Sequence, residues 1–314
     1  MSQKQPRNIP ASIKERLLQL SRCQREDFNY LLIRYAADRL LYRLSQSPYK
    51  HQFILKGATL FRIWSGEPHR ATKDLDLLAH GINEIPHLEE VFQRICCVPF
   101  EDDGITFGQE TVKGEIIKED QEYEGVRIKL TSQLDAITIQ VQIDIGFGDA
   151  VTPQAQEVEF PTILNLPAPS LLIYPRETVI AEKFQVMVTL GIINSRLKDF
   201  YDIWFLCQRF QFQGDILCEA LQSTFDRRRT PLPTSLPFAL TSEFALDKDK
   251  QKQWKSFVNK GRLKTEQVSL PEVIGIIGRF LMPPSLAAAQ GEVFHKIWVP
   301  ATYWSDIPQA EPIK

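Results

Sequence analysis

Apolar positions come first as Leu17, Leu18 and Leu20 and then recur at helical spacing as Phe28, Leu31, Leu32, Tyr35, Leu40, Leu41 and Leu44. That rhythm predicts two helices over residues 11–46, closed by Ser45-Gln46-Ser47-Pro48. Phe53-Ile54-Leu55 is a short apolar strand that Gly57 turns into a helix from Thr59 to Trp64. Asp74-Leu75-Asp76-Leu77-Leu78 alternates polar and apolar, as a half-exposed strand does. Residues 87–95 read as a helix, and Gly104 to Leu134 as paired strands with Glu124-Gly125 near their turn. The cleanest period-two run is Ile137, Ile139, Val141, Ile143 and Ile145 against Thr138, Gln140, Gln142 and Asp144, which places Asp144 on the polar face.

Pro153, Pro161, Pro167, Pro169 and Pro175 mark residues 152–176 as a connecting segment. Beyond it the pattern is helical over 177–190, 196–211 and 214–224, then around 247–259 and 271–281, with a Pro- and Arg-rich loop from Arg227 to Pro237. The expected fold class is α/β (α+β), with a small mixed sheet flanked by helices. Three parts are predicted: N-terminal helices over 1–50 packing on a core, the core over 51–160, and a mostly helical C-terminal domain over 161–314. The cleft between the halves is the expected binding place.

Composition narrows the classes. Hydrophobic residues make up 43% of the 314 and charged residues 24%, enough to build a sizeable core. The formal net charge of -2 means that any grip on nucleic acid comes from a local patch. Five scattered cysteines without Cys-x-x-Cys spacing argue for reduced core thiols, and five scattered histidines form no zinc pattern. The first residues lack the apolar stretch of a signal peptide, and no apolar run approaches spanning length. The expectation is a cytoplasmic protein with no membrane partner.

Asp74 and Asp76 lie two apart on a strand, so both carboxylates share a face, roughly 6 to 7 Å apart along the backbone. Such a pair suits Mg²⁺, a hard ion that takes few protein oxygens and the rest from substrate phosphates. A third carboxylate on a neighbouring strand would complete a two-metal site, and Asp144 is the natural candidate. The plain alternative is an Asp-x-Asp facing solvent on an edge strand. Lys183 projects from or beside the apolar stripe of its helix, three from Ile180 and four from Val179 and Met187. There it either meets an anion or snorkels. Asp199 and Asp202 share a helix face, and Lys198 is spaced to pair with Asp202; the plain reading is a surface ion pair. Lys56 and Arg70 are phosphate contacts by charge and place, or solvated cations. Two basic clusters stand out: Arg227-Arg228-Arg229, and Lys248, Lys250, Lys252, Lys255, Lys260, Arg262 and Lys264 around Trp254 and Phe257. Basic residues interleaved with aromatics can hold single-stranded RNA, although a solvated helix with both aromatics in the core is the plainer reading of the second.

Taken together, four blocks are specific. Lys56-Gly57-Ala58-Thr59-Leu60 followed by Arg70, Thr72, Asp74 and Asp76 resembles the first motif of the AbiEii/AbiGii toxin family of nucleotidyltransferases, within the DNA-polymerase-β-like superfamily. Asp144 in Gln142-Ile143-Asp144-Ile145 sits where such folds place a later carboxylate. Ala181-Glu182-Lys183-Phe184 resembles the family's helical lysine motif, and Arg196 to Ile203 its motif of an arginine and two aspartates. The resemblance spans about residues 10 to 285. One departure is Ala58, where many relatives have a second glycine; it narrows the room for phosphate approach.

The resemblance implies an Mg²⁺-dependent enzyme that moves NMP from an NTP to an RNA acceptor such as tRNA. It also implies a toxin role in a toxin–antitoxin or phage-defence pair, with a cognate antitoxin protein as partner. Asp74, Asp76 and Asp144 would hold metal. Lys56, Gly57, Thr59, Arg70 and Lys183 would meet the nucleotide, and Asp199 or Asp202, with Asp202 favoured, would orient Lys183 or the substrate. Two alternatives remain: transfer to a protein or small-molecule hydroxyl, and a non-catalytic nucleotide-binding module. Asp74, Asp76 and Lys183 all standing in place speak against the module.

Overall fold

The computed structural model describes residues 8–66, 70, 72–100, 103–118, 124–261 and 268–307. The chain divides into two compact units, Met1–Gly148 with Gln156–Ile173, and Asp149–Ala155 with Tyr174–Lys314.

The first unit opens with α1 (Ile9–Gln24) and α2 (Phe28–Ser45). Asn8 and Asp27 cap them by accepting from the backbone N–H of Ala11 and Tyr30, which satisfies donors a helix start leaves open. A seven-stranded mixed sheet follows: β1 (Phe53–Lys56), β2 (Leu75–Ala79), β3 (Ile105–Lys118), β4 (Glu124–Leu134), β5 (Ile137–Phe147), β6 (Gln156–Glu159) and β7 (Ser170–Ile173). Their spatial order is β3-β4-β5-β2-β1-β7-β6. The pairs β2/β5 and β1/β7 are parallel and the others antiparallel. A short helix α3 (Phe61–Ser65) follows β1, and α4 (Ile85–Cys96) packs on β3. Glu124 and Gly125, expected near the turn, open β4, and residues 119–123 before them lie outside the described residues.

The proline-rich segment differs from expectation. It is not merely a connection, because it adds β6 and β7 to the sheet edge. Its prolines flank the paired residues and never enter them, so no ladder donor is lost. A four-residue strand bounded by prolines carries too short a pattern to read as one.

Burial in this unit includes charge. Asp103 is fully buried between Arg39 and Arg43 of α2, accepting from Arg39 Nε at 3.1 Å and from Arg43 Nη1 at 2.7 Å and Nη2 at 3.2 Å. Arg43 also donates to the Ile105 carbonyl, so α2 is tied to the start of β3.

The second unit contains α5 (Arg176–Leu190), α6 (Leu197–Arg209), α7 (Gly214–Arg227), α8 (Ser242–Leu246), α9 (Lys248–Gly261) and α10 (Leu270–Gln290). A small sheet of order β10-β9-β8 is built from β8 (Phe212–Gln213), β9 (Lys296–Trp298) and β10 (Trp304–Asp306). Phe280 anchors it, with ring centroids 4.9 Å from Trp298 and 5.7 Å from Trp304. These two- and three-residue strands have no legible alternation and escaped the sequence reading.

Helix α10 runs nine residues past its expected end, through Pro283 and Pro284, to a left-handed cap at Gly291. Pro284, Ser285, Ala287 and Ala288 are buried where α10 packs on α7, and that packing offsets the lost hydrogen bonds. The expectation that no apolar run reaches spanning length is corrected here. By length and composition α10 passes, with half of its window buried inside the protein, as a core helix also does.

Candidate active site

The sheet register builds the first group of polar residues. Lys56 on β1 faces Asp76 on β2, Asp76 faces Asp144 on β5, Asp144 faces Arg127 on β4, and Arg127 faces Glu115 on β3. Directly paired residues project on one side of a sheet, so the five form a row across five strands. Asp74 precedes β2 by one residue and shares the Asp76 side. Asp74, Asp76 and Asp144 are each partly buried, and Lys56 is buried.

Gly57 explains how the turn after β1 meets this row. Its φ is +79°, where side chains other than hydrogen are strained, and a Cβ there would lie 1.9 Å from Asp76 Oδ2. The chain therefore passes against the Asp76 carboxylate in a space only glycine leaves open. Gly57→Ala is expected to cost about 1–3 kcal/mol in stability and, by displacing Asp76, about 100-fold or more in the rate of any reaction the site catalyses. A melting curve beside a single-turnover assay separates the two. Unchanged turnover would show that Asp76 tolerates displacement.

The donor chemistry fits a divalent cation at Asp74 and Asp76: hard carboxylate oxygens on one face beside an open turn. Asp144 is engaged elsewhere. Arg127 donates to it from Nε at 2.7 Å and from Nη2 at 2.8 Å, and Gln142 from Nε2 at 3.4 Å. Among the described residues no three His, Cys, Asp or Glu side chains converge to hold a metal. The bond to Asp144, ahead of the fields of Asp144 and Asp74, strengthens the hold of Arg127 on its proton.

Beside Asp74, a narrow cleft runs between α2 and the turn after β1. Its lining includes Arg34, Arg62, Arg70 and Lys73 against Asp38 and Asp74, with Thr59 at its wall. Arg62 is forked onto the buried Asp38 at 2.7 and 3.2 Å. Arg34 donates to Glu26 and lies over the Tyr30 ring, while its buried Nε has no hydrogen-bond partner. Burial first, and then the positive charge of Arg62, pull Arg34 below its ordinary value. Crowded cations of this kind are an electrostatic invitation to an anion. The sequence reading found Arg70 and Thr59 but missed Arg34 and Arg62, whose only signal is charge on the flanks of apolar helices.

The second group lies within the second unit. Lys183 on α5 places Nζ 2.5 Å from Asp199 Oδ1 and 2.9 Å from Asp202 Oδ2, both fully buried on α6. Arg196 Nε reaches Asp199 Oδ2 at 2.7 Å. The two aspartates are therefore no surface pair. Together they hold one lysine, whose side chain is 11% exposed. Burial pushes the Asp199 carboxyl up, but Lys183 and then Arg196 outweigh it and hold it below its ordinary value. The folded protein thus resists protonating Asp199 more than the unfolded chain does. This stability is fully present above the unfolded value, about pH 4, and is lost as pH falls through the lower folded one. Melting temperature is expected to fall more steeply below pH 4 in the wild type than in Asp199→Asn; parallel acid slopes would count against it.

The basic clusters each turn one cation inward. Arg228 donates to Gln185 and Asp149, both at 3.0 Å, and Lys250 to the Asn194 carbonyl at 2.8 Å. Trp254 is buried and Phe257 packs on Tyr201, which leaves Lys248, Lys252, Lys255 and Lys260 exposed on α9. Arg262 and Lys264 lie outside the described residues.

Comparison with known proteins follows the same lines. A family model described as "Nucleotidyl transferase AbiEii toxin, Type IV TA system" matches residues 39–274, about three quarters of the chain. Among curated proteins nothing matches. Of solved structures, JHP933 from Helicobacter pylori is similar at 15% identity and TM-score 0.44, over 83% of this chain and 92% of that one. A second H. pylori structure, described as a presumed nucleotidyltransferase, is similar at 16% identity and TM-score 0.42, over 81% and 92%. At those scores neither likeness decides anything.

Proposed function

Because this chain belongs to the AbiEii nucleotidyltransferase toxin family of type IV toxin–antitoxin systems, we propose that it is an Mg²⁺-dependent enzyme transferring a nucleoside monophosphate from an NTP to a hydroxyl of RNA, with tRNA the first acceptor to test. The observation that carries the reading is the meeting of Asp76 and Gly57, where a carboxylate and a glycine turn meet without room for a single extra carbon.

Asp74 and Asp76 would hold the cation, with Asp144 beside them in register. When bound, the ion supplies charge for the triphosphate and lowers the cost of forming the attacking alkoxide. The chain's own part is positional. Gly57 keeps the turn low, so that phosphate oxygens can approach backbone and Thr59. The cleft cations Arg34, Arg62, Arg70 and Lys73 would favour the triphosphate and then the departing pyrophosphate, as the acceptor oxygen bonds to the α-phosphorus and the bond from that phosphorus to the oxygen bridging to the β-phosphate breaks. Within the second unit, Lys183 is held by Asp199 and Asp202, which presets it as a cation for an anionic group of the substrate. The exposed lysines of α9 suit an RNA backbone. The toxin role makes an antitoxin protein the expected partner, and the expected setting is the cytoplasm.

The test is incubation of the purified protein with Mg²⁺, each α-³²P-labelled NTP in turn, and total tRNA, with EDTA as the blank. Label on tRNA in the presence of Mg²⁺ is the expected result. Label on protein alone would keep the enzyme class and replace the acceptor, and label insensitive to EDTA would overturn the metal requirement.

A further inference from the structure

Asp144 has a different occupation from the one a two-metal site would give it. We propose that Arg127 holds Asp144 out of the metal shell, so that the resting site takes one divalent ion, at Asp74 and Asp76, while Arg127 supplies the positive charge a second ion would bring. This rests on the metal reading of Asp74 and Asp76 proposed above.

Three observations carry it. The first is the fork itself. Both oxygens of Asp144 accept from the guanidinium, at 2.7 and 2.8 Å, and Gln142 adds a third donor at 3.4 Å. A planar two-point pairing fixes the carboxylate's orientation as well as its charge. To ligate a cation, Asp144 would have to share an oxygen with a group of the same sign as the ion. The second is place. Arg127 is the β4 partner of Asp144 in a row that continues through Asp76 to Lys56. The backbone register therefore brings the arginine to the carboxylate. With Asp74 included, the three acids, Lys56 and Arg127 carry one net negative charge. One divalent ion already reverses its sign, and a second would have to enter against a positive site. The third is exposure. The Arg127 side chain is 29% exposed and that of Asp144 14%, so this is no ion pair sealed in a core. Solvent reaches the pair in part, and Glu115 stands beyond it in the row. A guanidinium keeps its charge at any accessible pH, so the arrangement persists wherever the protein is folded.

The experiment counts ions directly. Full-length protein without nucleotide is titrated with Mn²⁺, and free Mn²⁺ is read by its electron paramagnetic resonance signal. The wild type is expected to bind one ion per chain. Arg127→Gln frees Asp144 and is expected to bind two, and Arg127→Gln combined with Asp144→Asn to return to one. Arg127→Met, which keeps the aliphatic stem, offers the same readout should the glutamine variant fail to fold. Two ions in the wild type would show that Asp144 already ligates, and one ion in both Arg127 variants would show that Arg127 does not exclude the second. Either result overturns the proposal. No ion in the wild type would overturn the metal reading of Asp74 and Asp76 and take this inference with it, whereas a correct wild-type count with the wrong variants sinks the inference alone.

Discussion

Asp76→Asn is expected to lower NTP-dependent transfer about 1,000-fold or more while the protein still melts as a folded one. The substitution keeps the shape of the side chain and one of its oxygens, so the tight approach of Gly57 survives. What it removes is half of the anionic charge that would fix the cation beside Asp74. A bound metal contributes several kcal/mol of transition-state charge stabilisation; about 4 kcal/mol corresponds to about three orders of magnitude in rate. Asp76 also stands beside Asp144 in the row and opposite the buried Lys56, so relief from Asp144 offsets only part of the compensation lost by Lys56, and a lower melting temperature with the fold retained is expected. Single-turnover transfer and thermal melting on the same preparation check both halves. An active variant would remove Asp76 from the chemistry, and an unfolded one would make it a structural residue.

The largest expected loss of stability lies elsewhere. Asp103→Ala leaves Arg39 and Arg43 facing one another in the interior, with side chains 0% and 4% exposed. Breaking a buried pair by deleting one partner costs about 3–5 kcal/mol, because the surviving charge has neither water nor counter-ion. For a domain of this size the melting temperature of the first unit should fall by about 10 °C. The effect reaches the site as well. Asp103 ties α2 to the start of β3, and α2 carries Tyr30, Arg34 and Asp38 to the cleft beside Asp74. A loosened α2 is expected to weaken nucleotide affinity in whatever fraction stays folded. Replacing Asp103, Arg39 and Arg43 together with apolar residues should recover much of the stability, since no buried charge then remains. Failure of that rescue would mean that the cluster specifies the α2 position rather than merely tolerating its own burial.

Much was legible because it depends on period alone. The alternation from Ile137 to Ile145 placed Asp144 on the polar side of a strand, and β5 has that side partly exposed. The spacing of Asp74 and Asp76 put them on one face, and the three-residue step from Asp199 to Asp202 put both on one side of α6. The glycine after β1 read as a turn, and its φ of +79° agrees. These are properties of one element at a time, set by a backbone repeat that any stretch of chain carries with it.

What escaped depends on which elements meet. Nothing in Arg127 distinguishes it from Lys129 two residues on. Register alone gives the first to Asp144, while the second pairs with Glu115. Arg227, Arg228 and Arg229 are equal in sequence, yet Arg228 is turned to Gln185 and Asp149. Asp199 and Asp202 read equally well as a solvated pair until α5 brings Lys183 between them. The sequence by itself therefore determined the helices and long strands, the shared face of Asp74 and Asp76 and, through its motifs, the enzyme family. Tertiary structure decided the edge strands, the partner of Asp144, the cationic cleft under α2 and the pairing of Lys183 with two buried aspartates. Periodicity records which side of its own element a residue occupies, and only packing and strand register decide which charge lies across from it.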